Sequence, residues 1–204
     1  MDNPYDSDVA RFSVTFTRSI IAWNVAESAA RSILMSFSKD GLGLIVATQH
    51  LGSIALRDAL QTLADMTDDN ERPASQEIAQ HVKHFVDGMD VLRAYRNFYV
   101  HSLLSIGKSP YEVGVFQGRL HSIEARGRYS WVEQTVTVAE LERFMVHTLE
   151  LSEYGAGLSL NLGPGNALNP APKPPLASLQ KPLWPEKLKK HRNYLQERRP
   201  PPQS

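Results

Sequence analysis

The sequence predicts a mostly α-helical, antiparallel bundle with one inserted β-hairpin and a proline-rich basic tail. Three observations carry this reading. Apolar residues recur at mostly three- and four-residue intervals along four long stretches, which is the helical period. One block, residues 113–136, alternates instead and is rich in β-branched and aromatic residues, the mark of a hairpin. Ten of the thirteen prolines lie beyond Gly163, where residues 171–204 carry eight Lys/Arg against two Asp/Glu. The 204 residues therefore divide into a bundle over 5–160 and a tail over 161–204.

The first helix is expected to be capped by Ser7 or Asp8 and to end near Phe37. Its apolar positions Val9, Phe12, Phe16, Ile20, Trp23, Ala30 and Leu34 leave one gap, filled by Glu27. A carboxylate inside an apolar stripe is costly unless something pairs with it. A second segment, residues 43–66, reads as one helix only slightly weakened by Gly52. Thr67 to Pro73 is a polar loop. A third helix, capped by Ser75, is expected through residue 106, with Ile78, Val82, Phe85, Met89, Leu92, Tyr99 and Leu103 as its stripe and Gly107 and Pro110 as its stop. Arg96 interrupts that stripe once. After the hairpin, Thr137-Val138-Ala139-Glu140 is a capping box that opens a fourth helix, which Gly155 and Gly157 are expected to close. In the tail, Asn169 to Pro175 reads as an extended linker, and Pro185 as the start of a short basic helix over 185–198.

Composition bounds the function. Net charge is zero, but residues 1–170 hold 14 Lys/Arg and 20 Asp/Glu, net −6, which the tail balances. Such an asymmetry invites an anionic partner for the tail or docking of tail on body. The absence of cysteine excludes disulfides, thiolate catalysis and cysteine zinc sites. No stretch is apolar enough to span a bilayer, and the acidic start Met-Asp-Asn-Pro-Tyr-Asp lacks the pattern of a signal peptide, so a cytoplasmic location with no membrane partner is expected.

The chemistry concentrates in Leu92-Arg93-Ala94-Tyr95-Arg96-Asn97-Phe98-Tyr99-Val100-His101. His101 is of a type that takes or gives a proton near neutral pH, and so can serve a ribose 2′-OH or a leaving 5′-oxygen. Arg96 is a permanent cation whose fork matches phosphate oxygens. Asn97, one turn before His101, can fix an imidazole tautomer or hold a phosphate. Attack by the internal 2′-OH needs no metal and no cofactor. On a helix, Arg96 and His101 are about 140° apart. That separation favours a homodimer with a composite site, in which each Arg96 sits near the partner's His101 or both pairs line one shared cleft. Glu27 is expected to pair with Arg96 as a support, or to line the same polar cleft.

Arg96-Asn97-Phe98-Tyr99-Val100-His101 resembles the R-x4-6-H motif, in its Arg-Asn-x-x-x-His form, of the HEPN superfamily. The resemblance spans about residues 7–158. It implies a small helical bundle and a metal-independent endoribonuclease with RNA as substrate, acting as a dimer in a toxin–antitoxin or phage-defence setting, with an antitoxin or other protein regulator. It equally admits a non-catalytic HEPN-like module for dimerisation or for binding RNA or a partner. The tyrosine that one branch of the family carries two residues after the histidine is Leu103 here.

Blander readings stand beside these. Arg96, Asn97 and His101 also fit a structural polar cluster. Arg93, Tyr95 and Tyr99 border the motif and are candidates for contact with substrate, although aromatic residues on an apolar face more often pack into a core. His81 and His84, three apart, have no further ligands signalled nearby and read as an exposed helix face rather than a metal site.

Overall fold

A computed structural model of the chain describes residues 4–37, 41–68, 73–101, 103–108, 116–125, 129–162 and 176–188. These residues are mostly helical, and the helices form a bundle. Helix α1 (Pro4–Ser36) starts three residues before the expected cap, because proline has no N–H to leave unpaired in a first turn. The expected single helix over 43–66 is instead two: α2 (Gly41–Thr48) and α3 (Ser53–Asp68). The break falls at Gly52, whose carbonyl accepts the first bond of α3 from the Leu56 N–H (3.0 Å).

Helix α4 (Pro73–His101) ends five residues short of the expected 106. Leu103–Lys108 is strand β1, paired antiparallel with Phe116–Ala125 (β2), which pairs antiparallel with Tyr129–Thr137 (β3). Leu103 opposes His121 and Lys108 opposes Phe116. Pairing with a distant strand here overrides a local helical pattern.

Helix α5 (Val138–Leu162) begins at the capping box the sequence predicts. The Glu140 carboxylate accepts from the Thr137 N–H at 2.7 Å, and the Thr137 hydroxyl accepts from the Glu140 N–H at 3.2 Å. Two donors that a helix start would orphan are thereby satisfied. Gly155 and Gly157 do not stop this helix, which runs on to Leu162. Gly155 serves packing instead: a Cβ there would lie 2.5 Å from the Phe85 ring and 2.9 Å from the Ala29 methyl. Alongside it, the Ser36 hydroxyl donates to the Ser159 carbonyl and that of Ser159 donates to the Ser32 carbonyl, each at 3.1 Å. Small residues let α1 and α5 approach closely enough for these bonds.

The contacts Arg11–Glu142, Ala29–Gly155 and Ser36–Ser159 show that α1 and α5 run parallel, a departure from the all-antiparallel expectation. The pairs α3/α4 and α4/α5 are antiparallel, as Arg57–Asp90 with Lys83–Asp68, and His81–Tyr154 with Tyr99–Phe144, establish. Phe12, Trp23, Ile33, Leu56, Leu60, Phe85, Met89, Leu92, Leu141 and Leu151 fill the core between these helices. No helix among the described residues is long and apolar enough to cross a membrane.

After the tail's first prolines, a short 3-10 turn (Leu176–Ser178) leads into a non-helical strap, residues 179–188, laid across α4 and α5. The short helix expected over 185–198 does not start at Pro185, and positions 189–198 lie outside the described residues. The Trp184 indole N–H donates to the His84 carbonyl (3.0 Å), and its ring sits where a side chain on Gly88 would stand, 2.6 Å from that Cβ position. Leu179 and Leu188 pack against the core at the two ends of the strap.

Candidate functional site

Helix α4 carries the sequence motif into its last two turns. Arg96 lies one turn and a half before the end and His101 is the final residue. The helical rise between them is about 7.5 Å, which an arginine side chain can span along the axis. The Arg96 guanidinium does so. Its Nη1 donates to Asn97 Oδ1 at 3.1 Å and lies 3.4 Å from His101 Nε2. The two groups therefore meet within one chain, where the Cα angle had favoured a meeting across a dimer axis. The angle between Cα positions is real, but side-chain length exceeds it. As a hydrogen bond, the contact requires Nε2 to accept, so the imidazole proton sits on Nδ1 in this arrangement. A guanidinium in the last turn also faces the negative end of the helix dipole. His101 is exposed and Arg96 and Asn97 are half-buried.

Glu27 does not pair with Arg96. Its carboxylate accepts from the Trp23 indole N–H at 2.9 Å and from the Ser53 hydroxyl. Both are neutral donors that the charge pattern of the sequence does not signal. Ser53 is the first residue of α3, so the carboxylate also stands at the positive end of that helix. One turn further along α1, Arg31 does the opposite work. Its Nη2 donates to the Leu51 carbonyl (3.1 Å) and its Nε to that of Thr48 (3.3 Å), where α2 ends. An acid and a base four residues apart on α1 thus clamp the turn between α2 and α3 by its two ends. Sequence reasoning missed Arg31. Its only signal was the i, i+4 spacing from Glu27.

That turn forms one wall of a shallow cleft of about 360 Å³, lined by Gly52, Ser53, Ile54, Ala55 and Asp58, with Arg93 and Asn97 on the α4 side. Asn97 joins the cleft to the Arg96–His101 contact. Arg93 Nη2 donates to Asp90 at 3.3 Å, and Asp90 also accepts from Arg57 at 3.0 Å. The Nε atoms of Arg93 and Arg96 are buried and find no hydrogen-bond partner among the described residues.

Of the flanking aromatics, Tyr99 follows the core-packing alternative and Tyr95 meets the strap. Tyr99 is 4% exposed and meets Phe144 edge-on at 5.3 Å, so no face is open to a base. Burial pushes its hydroxyl pKa well up. Tyr95 is half-buried, and its hydroxyl donates to the Glu186 carbonyl of the strap at 2.9 Å.

His81 and His84 are also not an exposed face. His81 is buried, with Nδ1 2.7 Å from the Tyr154 hydroxyl. His84 stacks on Trp184 at 5.0 Å, and its Nε2 donates to the Pro182 carbonyl at 2.9 Å. Burial, followed by nearby Lys181, lowers the pKa of His81. Burial is also the main cause that lowers that of His84. Among the described residues no three metal-ligating side chains stand together.

The arrangement can hold a phosphate oxygen on a guanidinium and offer an imidazole to a neighbouring hydroxyl from a single chain. Compared with protein-family models, curated proteins and solved structures, the chain finds no significant match in any of the three.

Proposed function

We propose that the chain is a HEPN-type, metal-independent endoribonuclease, in which His101 is the acid–base group, Arg96 neutralises phosphate charge and Asn97 positions one or both. The observation that carries this reading is the 3.4 Å approach of Arg96 Nη1 to His101 Nε2 at the exposed end of a long helix, with Asn97 bonded to the same guanidinium. A phosphodiester entering there would exchange the Arg96–His101 contact for Arg96–phosphate bonds. That exchange frees Nε2 to take the 2′-OH proton. The 2′-oxygen then attacks phosphorus, the 5′-oxygen leaves with a proton returned by the imidazole, and a 2′,3′-cyclic phosphate remains. The homodimer, a protein antitoxin or regulator, the defence setting and the cytoplasmic location follow from the motif resemblance and the sequence alone. Because one chain already brings Arg96 to His101, a dimer would add a second site or a shared groove rather than complete a broken one.

A second reading has its own observation. The Arg96 fork is already engaged within the chain, as it would be in a structural cluster of a non-catalytic HEPN-like module that dimerises or binds RNA or a partner. Incubation of the full chain with single-stranded RNA in EDTA separates the two. Cleavage that is lost in both His101→Ala and Arg96→Ala, with the helical circular dichroism unchanged, supports the nuclease. Equal cleavage by all three proteins, or none by any, refutes it.

A further inference from the structure

Residues four apart on a helix lie about 40° apart round the axis and about 6 Å apart along it, so Arg93, Asn97 and His101 form one row on α4. The row starts in the cleft between α3 and α4 and ends at the imidazole. Asn97 belongs to both places. It lines the cleft, and its Oδ1 accepts from Arg96 at 3.1 Å. A strand with its scissile phosphate at Arg96 and His101 therefore has a neighbouring nucleotide over the cleft.

The lining is of two kinds. Ile54, 57% exposed, and Ala55, also exposed, give α3 an apolar surface. Asp58 on α3 and Arg93 on α4 are the charged groups of the two sides. One hydrogen-bonded chain ties them together. Arg93 donates to Asp90 at 3.3 Å, Asp90 accepts from Arg57 at 3.0 Å, and Arg57 donates to Asp58 Oδ1 at 2.8 Å. Both ends keep capacity for a ligand. A carboxylate accepts about four bonds, and that from Arg57 takes one of them. Arg93 Nε has no partner among the described residues, and Asn97, with its oxygen engaged, still has amide N–H groups to give. The volume, about 360 Å³, falls within the range of small-ligand sites.

Acceptors on one side, donors on the other and an apolar surface between them are the complement of one base. Guanine carries two neighbouring donors, N1–H and N2–H₂, which match a carboxylate. Its O6 and N7 acceptors lie toward the other end of the ring system, and arginine is the usual reader of that pair. Adenine and cytosine set a single amino group beside an acceptor nitrogen. Uracil sets its one N–H between two carbonyls, which a carboxylate repels.

We propose that this cleft is a guanine subsite: it takes the base of the nucleotide next to the scissile phosphate, with Asp58 accepting from N1–H and N2–H₂, Arg93 and Asn97 donating to O6 and N7, and Ile54 and Ala55 against the ring face. The inference rests on the RNA-cleavage reading of Arg96 and His101, and gives that activity a substrate class. The substrate is single-stranded, because a base read on this edge cannot also be paired.

The test uses the full chain and a fluorescent oligouridylate holding a single guanosine, beside versions with adenosine, cytidine or uridine at that position. The guanosine strand should be cut at one fixed place beside the guanosine, with kcat/KM above the other three by about five- to a hundredfold. Asp58→Asn exchanges an acceptor for a donor and should bring that ratio below about twofold. Ala55→Phe fills the cleft from an exposed position and leaves the Arg93–Asp90–Arg57–Asp58 chain in place. It should lower kcat/KM on the guanosine strand about tenfold. Circular dichroism checks that both variants keep the fold. Affinity for the guanosine and all-uridine strands, measured in His101→Ala with and without Asp58→Asn, gives a second readout that needs no cleavage.

Cleavage that needs His101 but ignores the base overturns the subsite and leaves the nuclease standing. A loss in Asp58→Asn that is equal on all four strands does the same. Guanosine-selective binding that Asp58→Asn abolishes, with no cleavage by any of the proteins, keeps the subsite and removes the nuclease. A chain that neither binds nor cuts these strands overturns both.

Discussion

Gly155→Ala tests the packing of α1, α4 and α5 at the point where all three meet. Two effects oppose each other. In a helix interior, alanine is favoured over glycine by about 0.8–1.0 kcal/mol. Against that, the new methyl would stand 2.5 Å from a Phe85 ring carbon and 2.9 Å from the Ala29 methyl. Phe85 is fully buried and cannot swing into solvent, and the Ala29 methyl is fixed to the backbone of α1. Overpacking of this kind costs about 1–3 kcal/mol. Steric strain should therefore win by about 1 kcal/mol, and the thermal midpoint should fall by roughly 2–4 °C. Gly157→Ala supplies the contrast two residues away. Among the described residues its methyl would meet only the Leu179 Cδ1 atom, at 2.8 Å, the far end of a side chain that can turn aside. That variant should equal the parent or gain up to about 1 kcal/mol. Thermal and urea unfolding followed by circular dichroism measure both. A Gly155→Ala protein as stable as the parent, or more so, refutes the account of why this helix carries glycine.

Arg31→Ala should cost about 1–2 kcal/mol by removing the charged donor from the Thr48 and Leu51 carbonyls. It should also speed hydrogen exchange across residues 48–56, and unchanged exchange there would mean that the clamp is idle. Acid should loosen the strap. Burial depresses the His81 and His84 pKa values below the usual 6.5, so the undocked or unfolded chain takes up protons more readily than the folded one. The stability these residues permit is full above pH 6.5 and declines as pH falls below it, where Glu77, Asp87, Lys181 and Tyr154 are the other titratable groups around them. Unfolding midpoints between pH 7.5 and 5 should drop, and less so in His84→Gln. A flat profile contradicts this. Arg96→Lys keeps the charge but not the fork, and should lower RNA cleavage on the order of a hundredfold with the fold intact. Full activity would show that only charge matters.

What the sequence made legible was whatever depends on neighbours in the chain. The Thr137–Glu140 cap could be read because both partners lie within four residues. The end of α1 near Phe37 and the apolar stripes of α1 and α4 were legible for the same reason. What it hid depends on distant partners. Gly155 looks like a stop until Phe85 and Ala29 are in place beside it. Leu103–Lys108 continues a helical pattern until β2 offers it a ladder. Glu27 suggests a cation, yet its needs are met by Trp23 and by Ser53, 26 residues away. The polar cluster itself was visible in Arg96, Asn97 and His101. Their meeting within one chain was hidden, because the angle between two Cα atoms does not register the length of an arginine side chain.

The seam between α1 and α5 has a kinetic consequence. Its hydrogen bonds join residues 123 and 127 positions apart. Helix α1 is therefore synthesised long before the neighbour it packs on, with the buried faces of Phe12 and Trp23 uncovered meanwhile. Closure across such a span makes folding slow for so helical a chain, and makes the nascent N-terminal half the natural client of a chaperone.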